Sequence, residues 1–131
     1  MAKKKEVMVV DDEYDFRQVM SVWLESKGYA VTTAPDGETA IRLVKERRPD
    51  ILFLDLKMPV LDGVETLKRI RKFDKTLPII IISAYLDKLN LKEAKSYKVS
   101  GVFYKGEDFE KGLALLEAAL GTHKKLKNKE V

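Results

Sequence analysis

Five short apolar runs, each followed by residues at helical spacing, leave this 131-residue chain few folds to choose from. The runs cover residues 7–10, 29–33, 51–54, 79–82 and 101–104. Continuous apolar segments of that length, bounded by polar breaks, mark strands buried on both faces, and such strands pair in parallel under helices. After the first run, Phe16, Val19, Met20, Trp23 and Leu24 recur as one helix face, with Gly28 as the stop. Asp36, in the turn Pro35-Asp36-Gly37, is placed to cap a second helix through Ala40, Ile41 and Val44. Val64, Leu67 and Ile70 predict a third, with Asp62 as its cap and Lys68, Arg69, Arg71 and Lys72 favourable to the dipole at its end. Residues 87–98 carry only the thin stripe Leu91, Ala94 and Tyr97 among Lys88, Lys92, Lys95 and Lys98, which predicts a short or irregular helix. Phe109, Leu113, Leu116 and Leu120 make the face of a last helix, ended by Gly121. This alternation predicts an α/β fold of (βα)5 type, doubly wound, with right-handed crossovers and helices on both faces of the sheet.

Charge is distributed unevenly. The net charge is +4, but Lys3, Lys4 and Lys5 contribute +3 and residues 121–131 another +3, so residues 6–120 carry −2. We expect a folded body at 6–120, a basic tail at 1–5, and a second basic tail or start of a linker at 121–131. The absence of cysteine excludes disulfides and thiolate metal sites. No apolar run reaches the roughly 18 residues of a membrane helix, and the expected location is the cytoplasm.

Chemistry gathers at the strand ends. Asp11 and Asp12 follow VMVV, Asp55 follows ILFL, Ser83 follows IIII and Lys105 follows VFY. Open α/β sheets bind ligands at the carboxyl ends of their strands, and acidic side chains there are expected to face solvent. Carboxylates brought together repel one another unless a divalent cation sits among them, and hard oxygen donors suit Mg²⁺. A lysine and a hydroxyl beside them suit a transferred phosphoryl group. Taken singly, each residue has a plainer reading: Asp12 as a helix cap, Asp55 as a loop carboxylate, Lys105 as a surface lysine, Ser83 as a turn residue. His123, alone in the basic tail, is expected to have no catalytic part, and Trp23 belongs to a core stripe. A flavin-phosphate binder would need glycines and hydroxyls after the first strand, where DDEYD stands. A haloacid-dehalogenase-type phosphatase needs a second carboxylate two residues past its nucleophile, where this chain has Lys57. No GxxxxGK[ST] is present for a P-loop.

The segments VMVVDDE, LDLKMPVLDG, IIIISA and VFYK, in this order and at these distances, resemble the CheY-like receiver domain of two-component response regulators. The resemblance spans about residues 6 to 120. It implies the flavodoxin-like strand order 2-1-3-4-5, which makes strands one and three neighbours and puts Asp11, Asp12 and Asp55 at one corner. It also implies that Asp55 accepts the phosphoryl group and that Asp11, Asp12 and Asp55 hold Mg²⁺ with the backbone carbonyl of Lys57. Ser83 and Lys105 would then bind the phosphoryl oxygens. The implied function is a signal receiver rather than an enzyme, with self-phosphorylation and slow autodephosphorylation as its chemistry. Its partners would be a histidine kinase or phosphotransfer protein and a downstream protein, with no direct nucleic-acid or membrane contact. The expected state is a monomer or a phosphorylation-dependent dimer. The competing reading is a degenerate receiver that binds protein without phosphorylation. Lys57 and Tyr85, two residues beyond Asp55 and Ser83, flank the expected path of the hydrolytic water and should slow dephosphorylation.

Two positions depart from the family pattern. Gly106 follows Lys105 where proline is usual, so the intervening peptide is expected to be trans. Val102 occupies the place of an aromatic that swings inward on activation. About ten residues follow the last helix, too few for an output domain, so the chain is either a stand-alone receiver or part of a longer regulator. With Val102 unable to report, activation should change residues 84–100 more than the fifth strand. Amide hydrogen exchange with and without beryllofluoride, a phosphoryl mimic, checks this. Changes confined to residues 101–107 would assign the signal to the fifth strand instead.

Overall fold

The computed structural model describes residues 3–84 and 87–121. Ten elements alternate along the chain: β1 (Glu6–Val10), α1 (Tyr14–Ser26), β2 (Ala30–Ala34), α2 (Gly37–Glu46), β3 (Ile51–Asp55), α3 (Gly63–Phe73), β4 (Ile79–Ser83), α4 (Lys88–Lys95), β5 (Gly101–Tyr104) and α5 (Phe109–Leu120). The strands form one parallel sheet of order β2-β1-β3-β4-β5, as the resemblance implied. β2 begins and ends one residue later than its apolar run, and β3 and β4 extend to include Asp55 and Ser83.

Residues 7–10, 51–54 and 79–82 of the central strands are apolar throughout because successive side chains enter different layers, both of them buried. Met8, Val10, Leu52, Leu54, Ile79 and Ile81 share one layer with Ala40, Val44, Leu67, Ile70, Leu91 and Ala94. Val7, Val9, Ile51, Phe53, Ile80, Ile82 and Phe103 share the other with Met20, Leu24 and Leu116. Aromatic rings cluster in the second layer, with Phe109 5.5 Å from Trp23 and 6.1 Å from Phe103, centroid to centroid.

Two helix starts follow the expected chemistry, and the structure adds a third at Asp108. Asp36, Asp62 and Asp108 each accept from a backbone N–H of the first turn. α1 differs: its N-cap is Glu13, whose side chain makes no capping bond, so Asp12 is not the cap. The buried arc of α1 is rotated from the expected stripe. Met20, Ser21 and Leu24 are buried, Phe16 and Trp23 are half-buried, and Val19 is 57% exposed. Val19 lies at the margin of that arc, and the sheet covers the Ser21 side instead.

α4 is the short helix expected, eight residues long, and its start at Asp87 has no side-chain cap. Its other end is clasped. Arg71 is buried, and its guanidinium donates to the carbonyls of Tyr97 (2.9 Å), Lys98 (3.2 Å) and Asp74 (3.1 Å). Arg71 stands in the last turn of α3, as the sequence placed it, but its side chain is buried and bonded as well. It satisfies carbonyls in a loop where Lys98 takes a φ of 59°.

Gly63 opens α3 against the end of β3. A Cβ there would lie 2.1 Å from the Asp55 carbonyl oxygen and 2.5 Å from Leu56 Cα, while the Gly63 N–H donates to Leu56 O at 2.9 Å. The contact is backbone against backbone and has no flexible side chain to yield. Gly63→Ala is expected to lower stability by about 1–3 kcal/mol, measured by urea unfolding. A change below a few tenths would show that the loop adjusts without cost.

Candidate functional site

Parallel pairing sets the site. β1 lies beside β3 in a register that matches Val10 with Leu54, so Asp11 and Asp55 emerge side by side at the carboxyl end of the sheet. β4 matches Ile82 with Asp55, and β5 matches Tyr104 with Ser83, which brings Ser83 and then Lys105 to the same edge. Asp12, Glu13, Asp55, Lys57, Ser83, Ala84, Asp87 and Lys105 line a cleft of about 300 Å³ there. A larger surface groove between α2 and α3, lined by Lys45, Arg69 and Phe73 among others, lies away from these residues.

The carboxylates were expected to face solvent. Two of them do not: Asp11 is fully buried and Asp55 is 4% exposed, whereas Asp12 is exposed. Two apolar layers lie against the strands that carry them, and the Glu13 and Lys57 N–H groups of the following turns donate back to them. Burial first, and then the neighbouring charge of Asp11, push the Asp55 carboxyl up to about 7, against the pull of Lys105 and the Lys57 N–H. Burial likewise raises Asp11 above the ordinary aspartate range. Burial works against the Lys105 ammonium too, but its contacts with Glu13, Asp11 and Asp55 outweigh this and hold it firmly protonated.

Lys105 connects the acids. Its Nζ pairs with Glu13 Oε1, lies 3.0 Å from Asp11 Oδ2 and is 3.6 Å from Asp55 Oδ2. It also sits 4.9 Å from the centre of the Phe16 ring. Its hydrogen bond to Asp11 goes to Oδ1, at 3.3 Å, and the approach to Oδ2 is too oblique for a second. Asp11 Oδ2 is thus buried without a hydrogen bond. Asp11 Oδ1 also accepts from the Glu13 N–H at 2.8 Å, and Asp55 Oδ1 accepts from the Lys57 N–H at 3.2 Å.

Oxygen atoms of Asp11, Asp12 and Asp55 lie within 4.8 Å of one another. An all-oxygen donor set, with a buried Asp11 oxygen that accepts no hydrogen bond and meets only the Lys105 ammonium, fits a hard divalent cation. Ser83 is buried at the cleft, and its hydroxyl donates to Ala84 O at 3.0 Å. The Lys105 N–H donates to Ser83 O at 2.9 Å, tying the two residues through the backbone. All six expected site residues therefore meet at one edge. Tyr85, the expected partner of Lys57, and the tail from residue 122, with His123, lie outside the described residues.

Glu13 and Asp87 are additional members. Glu13 stands in the quoted VMVVDDE run, but nothing in its spacing distinguishes a lysine partner from a helix-start carboxylate. Asp87 reaches the cleft through the turn before α4, which no sequence signal reveals.

The departures from the pattern have a structural form. No cis peptide occurs among the described residues, so the bond between Lys105 and Gly106 is trans, as expected. Gly106 takes a φ of 96°, a conformation that proline cannot adopt. Val102 is half-buried and packs in the layer beneath α4.

Comparison with known proteins agrees with this geometry. The family model of the response regulator receiver domain matches residues 7–117. Sporulation initiation phosphotransferase F of Bacillus subtilis is 32% identical over 106 residues, 81% of this chain and 86% of that protein. The alkaline phosphatase synthesis transcriptional regulatory protein PhoP of the same organism is 34% identical over 105 residues, which is 80% of this chain but 41% of that protein. The chain likewise spans only 33% of the probable transcriptional regulator ycf27 of Guillardia theta. Among solved structures, chemotaxis protein CheY4 of Vibrio cholerae superposes with a TM-score of 0.80 at 30% identity, covering 89% of this chain and 99% of that one. The receiver domain of NtrX from Brucella abortus gives 0.83 at 29% identity, covering 88% and 98%. Sheet order, site and relatives agree: the chain belongs to the response regulator receiver domain family, the signal-receiving module of two-component systems.

Proposed function

We propose that this receiver takes a phosphoryl group onto Asp55 from a histidine kinase or phosphotransfer protein in the cytoplasm and presents a changed surface to a downstream protein. The observation that carries this is the buried Asp55 carboxylate beside Asp11, with Lys105 Nζ 3.6 Å from its Oδ2. Asp11 and Asp12 would hold Mg²⁺ together with Asp55 and the Lys57 carbonyl. When bound, Mg²⁺ offsets the repulsion between the carboxylate and an anionic phospho-donor. With acetyl phosphate, an Asp55 oxygen bonds to phosphorus as the phosphorus–oxygen bond to acetate breaks, and acetate leaves with that electron pair. The Lys57 N–H steadies Oδ1, and Lys105 lies on the Oδ2 side to meet the phosphoryl charge. The Ser83 hydroxyl must leave Ala84 O to donate to the phosphoryl group, which couples occupancy to the turn before α4. The Lys57 side chain, at the cleft, would obstruct the hydrolytic water. A degenerate receiver has no observation in its favour, since all the required residues converge.

Mass spectrometry after acetyl phosphate and Mg²⁺ treatment should show one added phosphate, absent from Asp55→Asn. An equal signal in that variant would refute the assignment.

Metal-free stability should also follow the Asp55 charge. The folded carboxyl holds its proton up to about 7, whereas its ordinary value is 3.8, so the folded chain binds more protons between these limits. Stability from this group therefore falls as pH rises through that window, and the penalty is complete above it. Calorimetry at about pH 8 should give metal-free Asp55→Asn a melting temperature higher than wild type by about 5 °C. The gap should close near pH 4, and Mg²⁺ should narrow it at pH 8 by stabilising wild type. A variant less stable than wild type at both pH values would contradict the repulsive corner.

A further inference from the structure

Lys105 is divided unequally among its carboxylates. Its ammonium pairs with Glu13 and touches Asp11, while Asp55 is the most distant of the three at 3.6 Å. Glu13 stands outside the group of carboxylates close enough to share an ion, which comprises Asp11, Asp12 and Asp55. A cation held by those three would occupy their oxygens, and Glu13 would remain available to Lys105. The α1 start does not need the Glu13 side chain either, because its capping role is confined to the backbone. Its backbone N–H is held by Asp11 Oδ1 at 2.8 Å, so the side chain projects over the cleft from a fixed base. That side chain is 62% exposed and free to swing away once its partner leaves.

We propose that Glu13 is a positioning residue that holds the Lys105 ammonium on the α1 side of the cleft and must release it before Lys105 can pair with a phosphoryl group on Asp55. This rests on the reading of Asp55 as the acceptor. The exchange moves no proton: the ammonium trades one anionic partner for another. Glu13 thereby sets the threshold for activation, since the phosphoryl group must outcompete a carboxylate already in place. A partly exposed ion pair of this kind corresponds to about a two- to fivefold effect on an equilibrium.

Two variants separate position from charge. Glu13→Gln keeps the length and removes the charge, whereas Glu13→Asp keeps the charge and draws it back by one methylene. Both are expected to raise beryllofluoride affinity, measured calorimetrically with Mg²⁺, by about two- to fivefold. In a Lys105→Met background, the same substitutions should have no effect. NMR of the lysine ammonium groups in metal-free protein should show the Lys105 signal shifted in both variants, a readout independent of phosphorylation. A gain in Glu13→Gln alone would mean simple charge repulsion of the anion and overturn the latch, as would unchanged affinity in both or a gain that survives Lys105→Met. If wild type binds no beryllofluoride while the Lys105 signal still depends on Glu13, the acceptor reading falls and the release step falls with it.

Discussion

Two buried carboxylates, Asp11 and Asp55, are held at the end of a sheet with a shared ammonium as counter-charge. In water such acids would separate and hydrate; here parallel pairing of β1 and β3 denies them that choice. Burial, and then the charge of Asp11, raises the Asp55 carboxyl to about 7, so the fold itself imposes an electrostatic cost at this corner. A site built on mutual repulsion requires a rigid base. Two apolar layers supply it, with nearly every side chain of β1, β3 and β4 buried in one or the other.

Rigidity is not uniform around this corner. β3 is fixed by the close approach of Gly63 to the Asp55 carbonyl. α4 has a different character: eight residues, an uncapped start, two buried side chains and an end clasped by Arg71. One end of the helix is thus anchored by the buried Arg71 guanidinium, while the other follows the segment after Ser83. Low local stability of this kind suits an element that rearranges. The Ser83 hydroxyl donates to the Ala84 carbonyl, and the Ser83 carbonyl accepts from the Lys105 N–H, so Ser83 touches both the segment leading to α4 and the end of β5.

The region after Lys105 follows another logic than the family pattern. Gly106, with its positive φ and trans peptide, turns the chain toward α5, and the Glu107 carboxylate accepts from the Tyr104 N–H at 3.0 Å to close the turn. Val102 is a branched aliphatic within a packed layer and lacks the reach to exchange an inward for an outward position. The segment after Lys105 thus departs from the family pattern at two positions, while Asp11, Asp12, Asp55, Ser83 and Lys105 still meet at one sheet edge.

The sequence by itself determined the layered α/β architecture, because the unbroken apolar runs at 7–10, 51–54 and 79–82 demand burial on both faces, whereas the edge strands β2 and β5 are only partly covered. It also determined which residue types stand at the strand ends, so Asp11, Asp12, Asp55, Ser83 and Lys105 were legible as a group. Their strand neighbours came from a family resemblance, since periodicity carries no information on which strands pair. Only the tertiary structure decided that Asp11 and Asp55 are buried while Asp12 is not, because burial depends on how the turns close over a sheet edge. It also decided that Arg71 serves three carbonyls rather than solvent, and that Glu13 holds Lys105. Both contacts join residues far apart in the chain, 26 or 27 positions for Arg71 and its loop and 92 for Lys105 and Glu13, and distance of that kind leaves no local pattern to read.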